Sequence, residues 1–316
     1  MISTNYLGYR LMSAAVVLVG VSVLTFGLIY LTPGDPAETI LSQQTDQQPS
    51  QEAIEAFRAE HGLNEPIPHQ YVNWVGDALQ ADLGQSYYSD RSVNGMIVQH
   101  APATVELAIA AMAIALLIAI PTGVLSAVHR GGRLDVVCQF GALVGVSMPN
   151  FWLGYLLIIG FSLHLGLFPV SGSGGLAHLV LPAVTLGTGV AAIIARLVRT
   201  SMLAELDREY LDVTRAKGLS ERIVVYKHAF RNALLPVITV VALQFGFVLN
   251  GAVVVEIVFQ RPGLGTLLVD SIFARDYPVV QGVVLVTAVS FVLTNLLVDL
   301  SYRYLDPRIR LGGVGT

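Results

Sequence analysis

Charged residues are so sparse along this chain that the intervals between them locate its helices. Five intervals contain no Asp, Glu, Lys or Arg: 11–34, 107–129, 136–195, 232–255 and 277–298. A helix needs about 20 apolar residues to cross the hydrocarbon core of a bilayer, so each interval is long enough for one span. The interval 136–195 is too long for a single span, and glycine, serine and proline interrupt it at 169–178.

The pattern predicts an all-α, polytopic membrane protein with six transmembrane helices. The spans are expected at 11–31, 103–128, 136–166, 179–200, 233–256 and 279–302. The strands of a membrane β-barrel would appear as segments of about ten alternating residues, and the sequence contains none. The chain is expected to consist of a first span (1–32), an outer loop (33–100) and a five-span core (101–316) that contains an inner loop (201–235).

Composition supports this membrane class and excludes others. Hydrophobic residues make up 54% of the chain and charged residues 13%, with a mean hydropathy of +0.65, whereas a soluble protein is about a quarter charged. Cys138 is the only cysteine, which excludes a disulfide framework. The net charge of −4 and the lack of a basic tract argue against a nucleic-acid partner.

The distribution of basic residues predicts the orientation. With the N-terminus inside, 14 of the 18 basic residues face the cytoplasm, and Arg58, Arg91, Arg261 and Arg275 lie outside. The positive-inside rule favours this arrangement, in which both termini are cytoplasmic. The first span is expected to remain as an anchor, because it is too long for the apolar region of a signal peptide.

The outer loop is acidic and is expected to contain two helices. Ser50 is suited to cap the first. The spacing of apolar residues predicts the second at 68–80, with Tyr71 and Trp74 on the face suited to a membrane interface. Two interpretations of the loop stay open, a small extracellular cap with a solvated acidic face or a docking surface for a soluble partner.

The inner loop combines basic and acidic residues and is also expected to be helical. Helix-forming residues run through 209–217, and Gly218 can supply the left-handed residue that ends a helix. Ser220 can cap a second helix, and Pro236 is expected in the first turn of the next span. The pattern predicts a short helix, held by a tight turn, at the cytoplasmic face. A flexible, solvated linker is the alternative.

Residues 214–218 (Thr-Arg-Ala-Lys-Gly), followed by Leu235-Pro236, resemble the cytoplasmic signature loop of ATP-binding-cassette (ABC) importer permeases. Other segments narrow the resemblance to the first-type permease subunit of the dipeptide/oligopeptide/nickel transport family. They are 33–36 (Pro-Gly-Asp-Pro), 102–107 (Pro-Ala-Thr-Val-Glu-Leu), 147–152 (Ser-Met-Pro-Asn-Phe-Trp), 262–265 (Pro-Gly-Leu-Gly), 275–281 (Arg-Asp-Tyr-Pro-Val-Val-Gln) and 306–310 (Asp-Pro-Arg-Ile-Arg).

The resemblance implies the type I ABC importer permease fold in a prokaryotic cell membrane. It implies three kinds of protein partner besides the lipid bilayer: a second homologous permease, two cytoplasmic ATPases that bind ATP and Mg, and an extracytoplasmic solute-binding protein. The solute would be a di- or oligopeptide or a nickel chelate. The helix that engages the ATPase would consist of Thr214, Arg215, Ala216, Lys217, Gly218 and Leu219.

The same resemblance places the segment between the last two spans beneath the binding protein. Its charged residues would either contact that partner or only solvate the loop. They are Arg261, Asp270, Arg275 and Asp276.

The residues themselves argue that this chain has no nucleotide site. A phosphate-binding loop requires Gly-Lys-Ser/Thr, and the only lysines, Lys217 and Lys227, follow Ala216 and Tyr226. We therefore expect no catalytic residue and no cofactor bound by this chain. The seven histidines show no metal-ligand spacing, so no metal site is expected either.

Two other classes stay open, an ion-coupled secondary transporter and a non-transporting membrane scaffold. The charges Glu106, Glu256 and Asp299 lie at span ends, where they are expected to reach the interface rather than bind ions. The break at 148–150 can be a kink that lines the pathway, a helix-packing feature or an ion site. Polar residues that can line a pathway, or merely pack helices, are Asn150, Gln244, Asn250 and Asn295.

Overall fold

The computed structural model describes residues 4–31, 34–45 and 48–305. Over these residues the chain is helical, and its only extended pairing is one isolated bridge between Gln85 and Ser92. The all-α prediction is therefore confirmed.

The helices of the described residues, in chain order, are α1 (Thr4–Leu31), α2 (Pro36–Thr45), α3 (Gln51–Glu60), α4 (Ile67–Leu79), α5 (Val93–Val128), α6 (Arg133–Ser147), α7 (Asn150–Leu157), α8 (Leu176–Leu206), α9 (Glu209–Ala216), α10 (Glu221–Ile223), α11 (Phe230–Val258), α12 (Leu264–Phe273) and α13 (Tyr277–Leu305). Two π-helical turns, Ile158–His164 and Val224–Ala229, continue α7 and α10.

Five helices are long and apolar enough to cross a membrane, and a sixth span is counted if the bent pair α6 and α7 is taken as one. The other spans lie at Gly8–Gly27, Val93–Val128, Leu176–Leu206, Glu221–Leu249 and Tyr277–Leu297. These agree with the six predicted spans in number and order.

The third span differs most from its prediction, because α6 and α7 meet at 106° rather than at a kink. Pro149 has no N–H to donate to the helix, and a residue before proline is pushed towards extended backbone. Met148 has this conformation, with φ −84° and ψ 122°. The span expected at 136–166 is therefore broken into two helical pieces.

The prediction for Pro236 is wrong. Instead of lying in the first turn of a span, this residue lies inside a helix, because α10, the turn Val224–Ala229 and α11 follow one another without interruption. Proline leaves one main-chain carbonyl of the preceding turn without its helical donor. The fifth span therefore begins well before residue 233, within the inner loop.

The chain divides into two units. The first consists of residues 1–102 and 262–292, and the second of residues 103–261 and 293–316. The second unit has an apolar core formed by α5, α8 and α11, which also includes the buried Leu211 of α9. Small residues such as Ala111 and Ala115 supply much of the α5 face, as is usual where helices pack closely in a membrane.

The first unit contains the outer loop. Its core is formed by the start of α5, by α12 and by the start of α13. Ser50 caps α3 by accepting a 3.2 Å hydrogen bond from the Ala53 main chain, as predicted. The second predicted helix is α4, whose Tyr71 and Trp74 pack against Phe26 of α1 at ring-centroid distances of 5.3 and 6.0 Å. The hydroxyls of Ser22 and Tyr71 also share a 2.9 Å hydrogen bond.

We predict that Gly187→Ala destabilises the chain. A Cβ at this position of α8 would lie 2.6 Å from the main-chain oxygen of Ala111 in α5. Overpacking of this kind costs about 1–3 kcal/mol. Thermal unfolding of the detergent-solubilised chain, followed by circular dichroism, measures the change.

The matched control is Gly141→Ala in α6, where a Cβ would meet nothing within 4 Å. This change should leave the unfolding temperature the same or raise it slightly, because alanine favours a helix by about 1 kcal/mol over glycine. Equal effects of the two substitutions would contradict the close α5–α8 packing.

Candidate functional site

The inner loop forms the short helix and tight turn that the sequence predicts. Helix α9 ends at Ala216, and Gly218 follows with φ +80°, a left-handed conformation that glycine adopts without strain. Ser220 occupies the predicted capping position before α10, with φ −63° and ψ 147°. Its side chain forms no cap hydrogen bond there.

The turn is instead closed by Arg215. Its guanidinium donates two hydrogen bonds to the Glu221 carboxylate, at 3.0 and 3.2 Å, and one to Asp212 at 2.9 Å. Planar, two-pronged pairing of this kind fixes geometry better than a single contact does. The Gly218 main chain also donates to the Arg215 carbonyl at 2.9 Å. The orientation of α9 relative to α10 is thus set across the turn.

The two faces of α9 differ. Leu211 is buried in the core of the second unit, whereas Val213 is exposed on the helix surface, and Leu219 is exposed beyond the turn. The six residues predicted to engage an ATPase, 214–219, all belong to this helix and turn.

A hydrogen-bonded group ties the start of α9 to its neighbours. The Tyr210 hydroxyl donates to the Glu205 carboxylate at 2.7 Å and accepts from the Asn232 amide at 3.0 Å. These residues belong to α9, α8 and α11. Together with Leu211, they hold α9 against the ends of two long helices.

A buried ion pair fixes α8 close to this group. The guanidinium of Arg199 donates two 2.8 Å hydrogen bonds to the Asp135 carboxylate of α6. Asp135 is only 2% exposed. It also accepts from Ser126 at 2.5 Å, from the Gly131 main chain at 2.9 Å and from Gln139 at 2.8 Å. No sequence pattern indicates this pair, although Asp135 borders the longest charge-free interval.

The acidic residues predicted at span ends, Glu106, Glu256 and Asp299, occupy different environments. Glu256 is 0% exposed and accepts a 2.6 Å hydrogen bond from Thr104. The expectation that Glu256 reaches the interface is therefore wrong, because the side chain is held between helices. The side chain of Glu106 is exposed, as expected, and it pairs at 2.8 Å with Arg261. The side chain of Asp299 lies outside the described residues.

The four predicted contacts for a binding protein occupy different environments. Arg261 is 3% exposed. Asp270 is exposed on α12, and Arg275 donates to the Thr39 hydroxyl at 3.0 Å. Asp276 is buried and accepts from Ser86 at 2.5 Å; burial raises the pKa of its carboxyl, and hydrogen bonds oppose that shift. Contact by any of the four stays a prediction.

The predicted pathway residues are spread over three helices of the second unit. Asn150 begins α7, Gln244 lies in α11 and Asn295 lies in α13, each with a partly buried side chain. Asn250 is also in α11, but its side chain is outside the described residues. Their role stays a prediction. Among the described residues, no group of three His, Cys, Asp or Glu side chains is arranged to hold a metal ion.

Comparison with family models gives two matches that together span nearly the whole chain. Residues 119–311 match the family described as "Binding-protein-dependent transport system inner membrane component". Residues 3–108 match the N-terminal family of the same membrane components.

Curated relatives agree with these matches. The "Glutathione transport system permease protein GsiC" of Pectobacterium atrosepticum is 44% identical over 306 residues, which cover 97% of this chain and 99% of the relative. The protein of the same name from Escherichia coli K12 is 42% identical over the same shares of the two chains.

Solved structures share the fold. A methionine ABC transporter, MetNI, in an inward-facing conformation has a TM-score of 0.58 at 20% identity, covering 67% of this chain and 96% of that one. An amino acid ABC transporter has a TM-score of 0.54 at 15% identity, covering 66% and 94%. At these identities the likeness concerns the fold alone.

We predict that Asp135→Asn and Arg199→Gln each lower the free energy of unfolding by about 3 kcal/mol, because each leaves a charge or a donor without its partner. The double substitution should cost less than the sum of the two, since it removes both ends of one interaction. Thermal unfolding of the unchanged chain, the two single variants and the double variant gives the four free energies of this double-mutant cycle.

Arg130→Gln is the control. Arg130 pairs with Asp207 at 3.6 Å, and both side chains are exposed, so the loss should stay below about 1 kcal/mol. Additive effects at Asp135 and Arg199 would show that the ion pair does not couple α6 to α8.

Proposed function

Because the chain belongs to the family of inner membrane components of binding-protein-dependent transport systems, the permease subunits of ABC importers of the peptide/nickel class, we propose that it forms half of a transport pathway. The other half is a second, homologous permease. The pathway carries a peptide-like solute across a prokaryotic cell membrane. An extracytoplasmic solute-binding protein delivers that solute.

The observation that carries this proposal is the braced helix α9 in the predicted cytoplasmic loop. A rigid element can pass on the motion of a partner only if its angle to the rest of the chain is fixed. Arg215 fixes the turn after α9, and Tyr210 fixes its start. The exposed Val213 and Leu219 offer the apolar surface that a partner would cover.

The energy for transport comes from two partner ATPases in this proposal. The chain has no Gly-Lys-Ser/Thr segment, so ATP and Mg bind to the partners and not to this subunit. Closure of the ATPases around α9 moves the long helices that α9 contacts. Family membership favours this importer class over the ion-coupled carrier and the scaffold.

The names of the relatives indicate the first solute to test. The proteins from Pectobacterium atrosepticum and Escherichia coli are called glutathione transport system permeases. We propose a peptide-like solute for this chain, with glutathione as the first candidate. A nickel chelate is the second solute class to test.

Reconstitution tests the proposal as a whole. A second permease and an ATPase should copurify with the tagged chain when it is isolated from the membranes of its native cells. In liposomes this complex should take up the solute only when ATP and the loaded binding protein are both supplied. Uptake by the chain without any ATPase, driven by a proton or sodium gradient, would contradict the proposal.

We predict that Gly218→Pro uncouples ATP hydrolysis from uptake. Proline cannot adopt the φ of +80° found at this position, and it would remove the hydrogen bond from Gly218 to the Arg215 carbonyl. The complex should still assemble in the membrane. Uptake per ATP hydrolysed, measured in liposomes, should fall about tenfold or more, as expected from a loss of about 1.4 kcal/mol or more of coupling free energy.

Ser220→Pro is the matched control two residues away. Ser220 has a φ of −63°, which suits proline, and its N–H donates to no main-chain carbonyl among the described residues. This variant should retain coupled uptake. If Gly218→Pro transports as well as this control, the angle of α9 has no part in coupling.

A further inference from the structure

The first unit contains a cavity of about 770 Å³ that the proposed transport function does not involve. All of its lining residues belong to that unit, and they come from α1, α3, α4, α13 and the intervening segments. Members of two segments that carry the family resemblance, 33–36 and 275–281, line it. The first supplies Asp35, and the second supplies Tyr277 and Gln281.

Three polar side chains of this wall lack hydrogen-bond partners among the described residues. The Tyr277 hydroxyl and the Trp74 ring N–H are buried and accept or donate no hydrogen bond. Tyr277 is 8% exposed, and the Arg275 guanidinium lies near its hydroxyl. Gln281 is 5% exposed, and no described residue is hydrogen-bonded to its amide.

Buried polar groups without hydrogen-bond partners lower the stability of the fold. A buried donor or acceptor without a partner costs about 1–3 kcal/mol, and most buried polar groups in folded proteins are paired. A cavity wall that combines aromatic rings with a few unpaired polar groups is typical of a small-molecule site. Trp74 and Tyr277 both line the cavity, so a ligand bound there lies next to these groups.

The charged residues of the cavity wall favour a positively charged ligand. Asp35 is paired with Arg58, and Glu65 holds His69 at 2.7 Å and Asn73 at 3.2 Å. The Asp77 carboxylate forms no ion pair or hydrogen bond with the described residues, and it lies one helical turn beyond Trp74 on the same face of α4. The lining residues carry three carboxylates and one guanidinium, and the Arg275 guanidinium lies beside Gly34 and Tyr277 of the wall. The negative charges still outnumber the positive ones, so the cavity attracts cations.

We propose that this cavity binds a small solute with an ammonium group next to a hydrogen-bond acceptor, as found at the amino end of a short peptide or in an amino acid amide. The ammonium group pairs with Asp77 and lies against the aromatic walls, which attract cations through their π-faces. The acceptor group of the solute accepts a hydrogen bond from the Trp74 N–H or from the Gln281 amide. This site is separate from α9, and its occupancy does not require ATP.

Calorimetric titration of the full chain, together with any subunits that copurify, tests the site in the absence of ATP. Phenylalaninamide carries the ammonium group, the acceptor and an apolar side chain. 3-Phenylpropanamide lacks only the ammonium group. The first should bind, with a dissociation constant up to the millimolar range, and the second should bind at least about tenfold more weakly. Equal affinity for the two probes, or no binding of either, would overturn the proposal.

Variants place the probe in this cavity. Asp77→Asn and Trp74→Phe should each weaken binding of phenylalaninamide about three- to tenfold, the range expected for one charged or one hydrogen-bonded contact. Glu55→Gln, which removes an exposed carboxylate of α3 outside the cavity, should leave the affinity unchanged. If Glu55→Gln weakens binding of phenylalaninamide as much as Asp77→Asn does, the effect comes from general surface charge, and the proposed site is wrong.

Tryptophan emission and lipid competition locate the bound probe and identify its natural counterpart. Trp74 and Trp152 are the only tryptophans of this chain. The probe should change the tryptophan emission of the preparation, and Trp74→Phe should abolish that change. Unchanged emission at saturation would place binding elsewhere.

A lipid headgroup with an ammonium group has the same chemistry. Displacement of the probe from phosphatidylglycerol nanodiscs by added phosphatidylethanolamine would assign the site to lipid and overturn the soluble solute.

Discussion

The ion pair between Asp135 and Arg199 is the constraint on which the arrangement of α5, α6 and α8 next to α9 depends. A carboxylate that is taken out of water loses several kcal/mol of hydration, and only a complete set of donors restores it. Arg199, Ser126, Gly131 and Gln139 supply that set. Since the donors come from α5, α6, α8 and the α5–α6 turn, the charge can be satisfied only when these elements hold one arrangement.

The rigidity of α8 at this point is what gives α9 a fixed base. Beyond Arg199 the chain continues to Glu205, which is bonded to Tyr210 at the start of α9. Arg215 then fixes the far end of α9 through Glu221. Each exposed contact alone contributes little to stability. Their value lies in geometry, because a helix held at both ends can move only together with the long helices that hold it.

The sequence predicts the features that depend on local chemistry. Charge-free intervals locate the spans, Ser50 caps its helix, and Gly218 takes the left-handed turn. The features it does not predict depend on contacts between distant residues. Glu256 is buried because Thr104 is placed beside it by the fold, and no pattern near residue 256 indicates this. The size of the bend at Pro149 also depends on how α6 and α7 pack, which proline chemistry alone does not determine.

The pairing of buried polar groups separates structural residues from candidate binding residues. In a chain with so few charges, Asp135 and Arg261 are buried with partners, and their hydrogen bonds are formed within the fold. Tyr277 is also buried, and its hydroxyl and the Trp74 ring N–H lack such partners among the described residues. An apolar side chain of similar size would fill these two positions at a lower free energy. The unpaired groups are therefore explained better by a ligand than by packing. Sequence patterns could not find them, because Trp74 and Tyr277 line one cavity only in the folded chain.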